Sequence, residues 1–278
     1  MAIAAERTHH VRVGSAVTCP LFRYPPAIVA QAFASMGVVY PGRIFLGLGT
    51  GEAMNEIPVG FDWPNFKERA KRLEEAIRII RLLWTEDFVN FKGKYYRLRR
   101  ANLYTKPSAS IPLYVAANGP TVTEIAGQYA DGFLTIPFTE SHYTDVLFPA
   151  LERGARRAGR DYTEIEKAVE MYVSYDEDYS KALDSIRCWA GTALPFVFNY
   201  PIFDPREIES YGKLVGDDQL SRIWCIGTSP EPHIRRIEGL IRLGFENIHI
   251  SSSSPDEFKT IEMYAKQVLP YLRSTYSD

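Results

Sequence analysis

The stretch Arg43-Ile44-Phe45-Leu46-Gly47-Leu48-Gly49-Thr50-Gly51-Glu52-Ala53-Met54-Asn55-Glu56, residues 43–56, decides the fold. Arg43 to Leu48 is a short apolar run of the kind found in strands covered on both faces. Glycines then turn the chain, and a helix starts at Asn65. Asn65 followed by Glu68 is a capping-box pattern, and Leu73, Ala76, Ile77, Ile80 and Leu83 or Trp84 recur on one helical face. A buried strand that runs through a glycine turn into an amphipathic helix is a βα unit, and the fold follows from how often that unit recurs.

Upstream, Val11 to Cys19 reads as a strand, stopped by Arg23-Tyr24-Pro25-Pro26. The proline pair opens a helix that carries Ile28, Val29, Ala32, Phe33 and Met36. Downstream, Phe88 to Leu103 interrupts the alternation; it is aromatic, turns at Lys92–Gly93 and reads as a hairpin outside the main sheet. Strands at 113–117, 132–136, 167–175 and 247–251 then alternate with helices at 121–129, 142–158, 179–193, 230–243 and 255–271, with a looser region around Pro195, Pro201 and Pro205. The chain is thus expected to form a single α/β domain over residues 1–278 with six buried parallel strands. A (β/α)8 TIM barrel closes with eight strands. Alternation alone therefore leaves two architectures open, a barrel two strands short and a doubly wound open sheet.

Composition narrows the function. Of 278 residues, 46% are hydrophobic and 24% charged, and fifteen Phe, seventeen Tyr and four Trp supply ample core mass. A formal charge of −2, with basic and acidic residues interleaved, argues against nucleic-acid binding. Cys19, Cys188 and Cys225 lack any C-x-x-C spacing, which argues against a disulfide framework and fits a reducing, cytoplasmic setting. His9, His10, His142, His233 and His249 are not spaced as zinc ligands, so no metal is expected. No apolar run reaches membrane-span length, and the N-terminus is not a signal peptide.

Three segments invite a chemical reading. Gly47 to Glu56 is neither a P-loop nor a Rossmann fingerprint. It is either a tight turn with solvated acids or a turn that projects Glu52 and Asn55 into a site at the carboxyl ends of the strands. Ala116 to Val122 runs from a strand end into a helix start. It is either a phosphate seat of backbone N–H groups or an ordinary left-handed turn with Pro120 opening the helix. Ser15 to Pro20 either lines a pocket or packs, with Cys19 as a small apolar residue.

Taken in order, GSAVTCP-x-x-RYPPAIVAQAFASM (14–36), GRIFLGLGTGEAMNE (42–56) and PLYVAANGPTVTEIAGQYADGF (112–133) resemble the luciferase-like oxidoreductases that use the deazaflavin coenzyme F420. Tyr175–Tyr179, Cys188–Gly191, Phe203–Pro205 and Ser252–Asp256 extend the likeness to the F420-dependent secondary alcohol dehydrogenases. The resemblance implies an eight-stranded βα barrel, usually a homodimer, with the deazaflavin across the strand ends. It implies that Ala16–Val17 is a non-prolyl cis peptide behind the cofactor's central ring, that Cys19 lies near the cofactor wall, and that Glu52 is the active-site acid. Asn55 becomes a cofactor contact, and Ala117, Asn118, Gly119, Pro120, Thr121 and Val122 become the turn that holds the cofactor phosphate. The implied reaction is hydride transfer between an alcohol and the deazaflavin, with Glu52 protonating or polarising the ring.

Two departures from the family pattern bear on this. The sugar-phosphate branch grips phosphate with three basic side chains, where this chain has Pro137 or Phe138, Asn199 and Ile223. A phosphate dianion is poorly held without cations. The expected substrate is therefore a small uncharged alcohol or carbonyl, against a wall of Phe138, Trp189, Phe196 and Asn199. The chain also aligns from the family's third strand. The first two βα units, and the acid–histidine pair at the second strand's end, are then expected to be missing, through a start-codon error or as a gene fragment. Such a chain is expected to expose strand edges and to be sticky or weakly active. An FMN-dependent monooxygenase, a methylenetetrahydromethanopterin reductase, a sugar-phosphate dehydrogenase and a non-catalytic remnant are the competing readings.

Overall fold

A computed structural model describes residues 1–276. The chain falls into two compact units, Met1–Leu134 with Ser141–Glu166, and Thr135–Glu140 with the residues from Lys167 onward.

The first unit holds strands β1 (Val13–Thr18), β2 (Ile44–Leu48), β5 (Leu113–Ala116) and β6 (Gly132–Thr135), and a separate hairpin of β3 (Val89–Lys92) and β4 (Arg97–Ala101). Its helices are α1 (Ala2–Glu6), α2 (Pro26–Val39), α3 (Ala53–Glu56), α4 (Phe66–Thr85), α5 (Pro120–Tyr129) and α6 (Phe148–Arg157). The four main strands are parallel in the order β1-β2-β5-β6. Ile44, Leu46, Leu48, Leu113, Val115 and Phe133 are at most 2% exposed, the burial expected of strands with helices over their outer face. The expected cap is present: Asn65 Oδ1 accepts the N–H of Glu68 at 3.1 Å. Leu73, Ala76, Ile77, Ile80 and Leu83 all lie in the core. Trp84 joins them and donates its indole N–H to the carbonyl of Ala30 in α2 at 2.9 Å. In α2 the buried face is Val29, Ala30, Phe33, Ala34 and Gly37, and of the apolar residues that marked the helix in the sequence, Ile28 and Ala32 are exposed.

The hairpin lies outside the main sheet, as its composition predicts. Glu75 of α4 accepts the backbone N–H groups of Lys94, Tyr95 and Tyr96 at 2.7, 3.0 and 3.1 Å. Tyr96 donates its hydroxyl to the carbonyl of Leu21 at 2.8 Å, tying the hairpin to the segment that leaves β1.

The second unit centres on β7 (Glu166–Tyr175), paired in parallel with β8 (Cys225–Gly227) and β9 (Asn247–Ser252). Helices α7 (Tyr179–Asp184), α8 (Phe196–Asn199), α9 (Pro205–Tyr211), α10 (Asp217–Ile223), α11 (Pro230–Arg242), α12 (Glu257–Met263) and α13 (Leu269–Tyr276) surround them. One apolar cluster gathers Leu183, Ile186, Ala190, Val215, Leu220 and Trp224.

The six expected core strands are all present as β1, β2, β5, β6, β7 and β9, and the sheet gains one more among the described residues, β8, which at three residues carries no readable alternation. One expectation needs correction. The helix expected over 179–193 stops at Asp184 and gives way to a 3-10 segment, Arg187–Ala193. Ser185 Oγ donates to the carbonyl of Ala182 at 2.8 Å, a side-chain bond that competes with the helical ladder at the break. The proline-rich region likewise contains short helices; α9 is opened by Asp204, whose carboxylate accepts the N–H of Arg206, with Pro205 in the first turn. No helix among the described residues is long and apolar enough to cross a membrane.

Candidate active site

The site is built where three neighbouring parallel strands stop together. Thr18 of β1 is in register with Leu48 of β2, and Leu48 with Val115 of β5. The segments that follow, at 19–25, 49–56 and 117–120, therefore leave the sheet side by side at the carboxyl edge, which is where α/β barrels place their chemistry.

β1 approaches this edge irregularly. Its register to β2 shifts between Ser15 and Thr18, and the Ala16–Val17 peptide is cis. Both residues of that bulge face open space, Val17 being 41% exposed. The bulge presses its backbone onto β2, so that a Cβ at Gly47 would sit 2.2 Å from the Ser15 carbonyl oxygen. Only glycine fits there, which accounts for the first glycine of the Gly47–Gly51 run.

The second segment carries Glu52 and Asn55. Glu52 is extended (φ −135°) and precedes α3, and Asn55 Nδ2 donates to Glu52 Oε2 at 3.1 Å. Glu52 is half-buried, and burial raises its carboxyl above the ordinary glutamate range. A carboxyl at a strand-end turn that holds its proton longer than usual is suited to give or take a proton.

The third segment differs in detail from its expected form. Gly119 is extended at φ −149°, not left-handed, and a Cβ there would meet nothing within 4 Å. α5 starts at Pro120 without a side-chain cap. Among the described residues the N-cap thus leaves the first-turn N–H groups of Thr121 and Val122 without a side-chain cap, beside the open space at Gly119. His142, which the sequence left unassigned, places Nε2 3.1 Å from the Asn118 carbonyl oxygen. Ala117 is buried at the end of β5, and its N–H donates to the Leu134 carbonyl at 2.9 Å.

Cys19 is 8% exposed and sits beneath the Glu52 turn. A Cβ on Gly51 would lie 2.5 Å from Cys19 Sγ and 3.6 Å from Glu56 Oε1. Burial, with the neighbouring Glu56 acting in the same direction, pushes the Cys19 thiol up to about 12, so it is no nucleophile at neutral pH. Two further residues were missed in the sequence, Arg23 and Glu56. Glu56 is fully buried, with Arg23 Nε at 3.4 Å, and Arg23 Nη1 donates to the Asn55 carbonyl at 2.9 Å. Arg23 had read only as part of a strand stop, and Glu56 only as one of two acids in a turn.

The residues expected to form a substrate wall belong to the second unit. Phe138 is half-buried on the 135–140 segment, Trp189 is 52% exposed on the 3-10 segment, and Phe196 and Asn199 begin and end α8. Phe196 packs edge-on against Tyr211 with ring centroids 5.1 Å apart. Among the described residues no group of His, Cys, Asp and Glu is arranged to hold a metal.

Comparison with known proteins bears on the family and the fold. Residues 1–247 match the family described as luciferase-like monooxygenase. The chain is 40% identical over 269 residues to the F420-dependent glucose-6-phosphate dehydrogenase of Nakamurella multipartita, covering 96% of this chain and 79% of that protein. It is 40% identical over 276 residues to the enzyme of the same name from Mycobacterium avium, covering 98% and 82%. Among solved structures, an F420-dependent secondary alcohol dehydrogenase in complex with an F420-acetone adduct superposes with a TM-score of 0.93 at 39% identity, over 98% of this chain and 82% of that one. The F420-dependent tetrahydromethanopterin reductase of Methanopyrus kandleri superposes with a TM-score of 0.80 at 24% identity, over 97% and 85%, a likeness of fold alone. Of the two architectures that strand–helix alternation left open, the luciferase-like barrel type is the one this chain adopts, and the chain belongs to the luciferase-like family.

Proposed function

We propose that this protein is an oxidoreductase that uses coenzyme F420 and passes a hydride between the deazaflavin and a small uncharged secondary alcohol or its ketone. The observation that carries the reading is the convergence, at three register-matched strand ends, of an outward-facing bulge, a carboxyl raised by burial and an uncapped helix start facing open space. These features fit a flat, phosphate-bearing cofactor. Ala16 and Val17 would back its ring, Asn55 would contact it, and the turn Ala117–Val122 would hold its phosphate. When bound, the deazaflavin supplies the hydride acceptor and donor. Glu52 holds or releases the proton that balances hydride transfer, with Asn55 fixing the carboxylate's orientation.

The substrate assignment rests on charge. Pro137 or Phe138, Asn199 and Ile223, which by resemblance stand where the sugar-phosphate branch carries cations, are uncharged. The names of the curated relatives favour glucose 6-phosphate as the second reading. Titration with F420 and with FMN, followed by turnover with 2-propanol, 2-butanol and glucose 6-phosphate, tests both. Tight F420 binding and reduction by the alcohols alone is the expected result. Reduction by glucose 6-phosphate alone would reverse the substrate assignment, and preference for FMN would overturn the cofactor assignment.

A further inference from the structure

The turn that presents Glu52 is fastened from beneath by groups that proton transfer does not use. Glu56 is 0% exposed, and its carboxylate lies beside the Cys19 thiol. Its charge is met by one cation, Arg23 Nε at 3.4 Å. The same guanidinium donates through Nη1 to the Asn55 carbonyl at 2.9 Å, and Asn55 in turn donates to the Glu52 carboxylate at 3.1 Å. A continuous path thus runs from buried Glu56 through Arg23 and Asn55 to Glu52. On the near side of Glu52, Gly51 takes φ +74° and lies directly over Cys19 Sγ, so the turn is pinned on both flanks.

An ion pair in this setting contributes little net stability, because desolvation offsets most of the attraction. It holds position all the same, since moving Arg23 away would strand the buried Glu56 carboxylate. Arg23 also sits on the segment after β1, whereas Asn55 and Glu56 sit on the segment after β2, so the guanidinium ties two rims of the site together. We propose that Arg23 and Glu56 are positioning residues: Arg23 clasps the Glu52–Asn55 turn to the segment after β1, and buried Glu56 holds Arg23 in place. This rests on the reading of Glu52 as the acid of the site.

Replacing Arg23 alone would strand the buried carboxylate and could unfold the unit, so the test uses the double variant Arg23→Met/Glu56→Gln, which removes both charges, together with Arg23→Lys, which keeps the charge opposite Glu56. Urea unfolding, kcat and KM for F420 reduction, and the carboxyl titration of Glu52 by 13C NMR, assigned through Glu52→Gln, are measured on each. The double variant is expected to keep the wild-type urea midpoint and to lose on the order of tenfold to a hundredfold in kcat, with little change in alcohol KM. Its Glu52 titration should move back toward the ordinary glutamate range. Arg23→Lys should fall between it and wild type in both respects. A double variant, or an Arg23→Lys protein if the double variant does not fold, with wild-type kcat and an unmoved Glu52 titration overturns the proposal. If wild type shows no F420 turnover, the functional reading fails by itself, and the Glu52 titration still decides whether the clasp exists.

Discussion

Glu52 and Glu56 stand four residues apart in one turn and have opposite environments. Glu52 lies on the outer side, half-buried, sharing its carboxylate with Asn55, and burial raises its proton affinity. Glu56 lies on the underside, wholly buried and facing Arg23. The contrast separates two uses of a carboxylate. On the outer side the group is reachable and holds its proton more tightly than an ordinary glutamate, which suits proton transfer. On the underside it is locked to a cation and serves as an anchor. The same short sequence therefore supplies both the proposed acid and the buried anchor beneath it.

The sharpest way to break this contrast is Glu52→Gln. It should lower kcat by roughly 10²–10⁴-fold while leaving the urea midpoint unchanged. It should also abolish the limb of the pH–rate profile on which turnover falls as Glu52 loses its proton. A loss of stability without loss of turnover would place Glu52 with Glu56 on the structural side.

A buried base without a counter-ion carries the comparison into the second unit. His233 is 0% exposed, with Nδ1 3.0 Å from the Tyr264 hydroxyl, and burial lowers it to about 4. In the unfolded chain it binds its proton near pH 6.5. The folded state thus binds fewer protons between these values. Stability should be full above about pH 6.5 and should fall as pH drops toward 4, by about 3 kcal/mol in all. Urea unfolding across that range checks this, and His233→Gln should flatten that part of the slope.

Gly51→Ala probes the pinned flank of the turn. A side chain there must adopt φ +74° and meet Cys19 Sγ at 2.5 Å. A destabilisation of about 1–3 kcal/mol by urea unfolding is expected. Gly119→Ala is the smallest perturbation, because its backbone is extended and the added methyl meets nothing within 4 Å. Stability should stay within about 0.5 kcal/mol. Calorimetric titration should nevertheless show weaker F420 binding, since the methyl enters the space assigned to the cofactor phosphate.

Much of this was legible in the sequence, for reasons that differ by element. α4 and the strands β2, β5 and β6 announce themselves because burial on a helical stripe, or on both strand faces, leaves a periodic or continuous apolar pattern. β8 does not, because three residues are too few to show a period. The break at Ser185 was hidden because a hydroxyl bonding back to a carbonyl leaves the apolar spacing untouched. In the site, the cis peptide at Ala16–Val17 and the roles assigned to Glu52 and the Ala117–Val122 turn came from family resemblance and not from periodicity. Arg23 and Glu56 were out of reach by either route, since a charged residue 33 positions away in sequence does not disclose that it will be an acid's partner.

The matched ends of β1, β2 and β5 have a consequence for how such a protein can change. Apart from the Ala16–Val17 bulge, the groups proposed for chemistry in the first unit hang beyond the last paired residue of a strand, on segments that also bury Cys19, Leu21 and Ala53. Substitutions at the open positions of those segments, such as Asn55 and Gly119, can retune ligand choice at little risk to folding, whereas Gly51, Arg23 and Glu56 carry the segments' own stability. Selection or a protein engineer thus has room to alter the open rim while leaving the fastened underside of the turn alone.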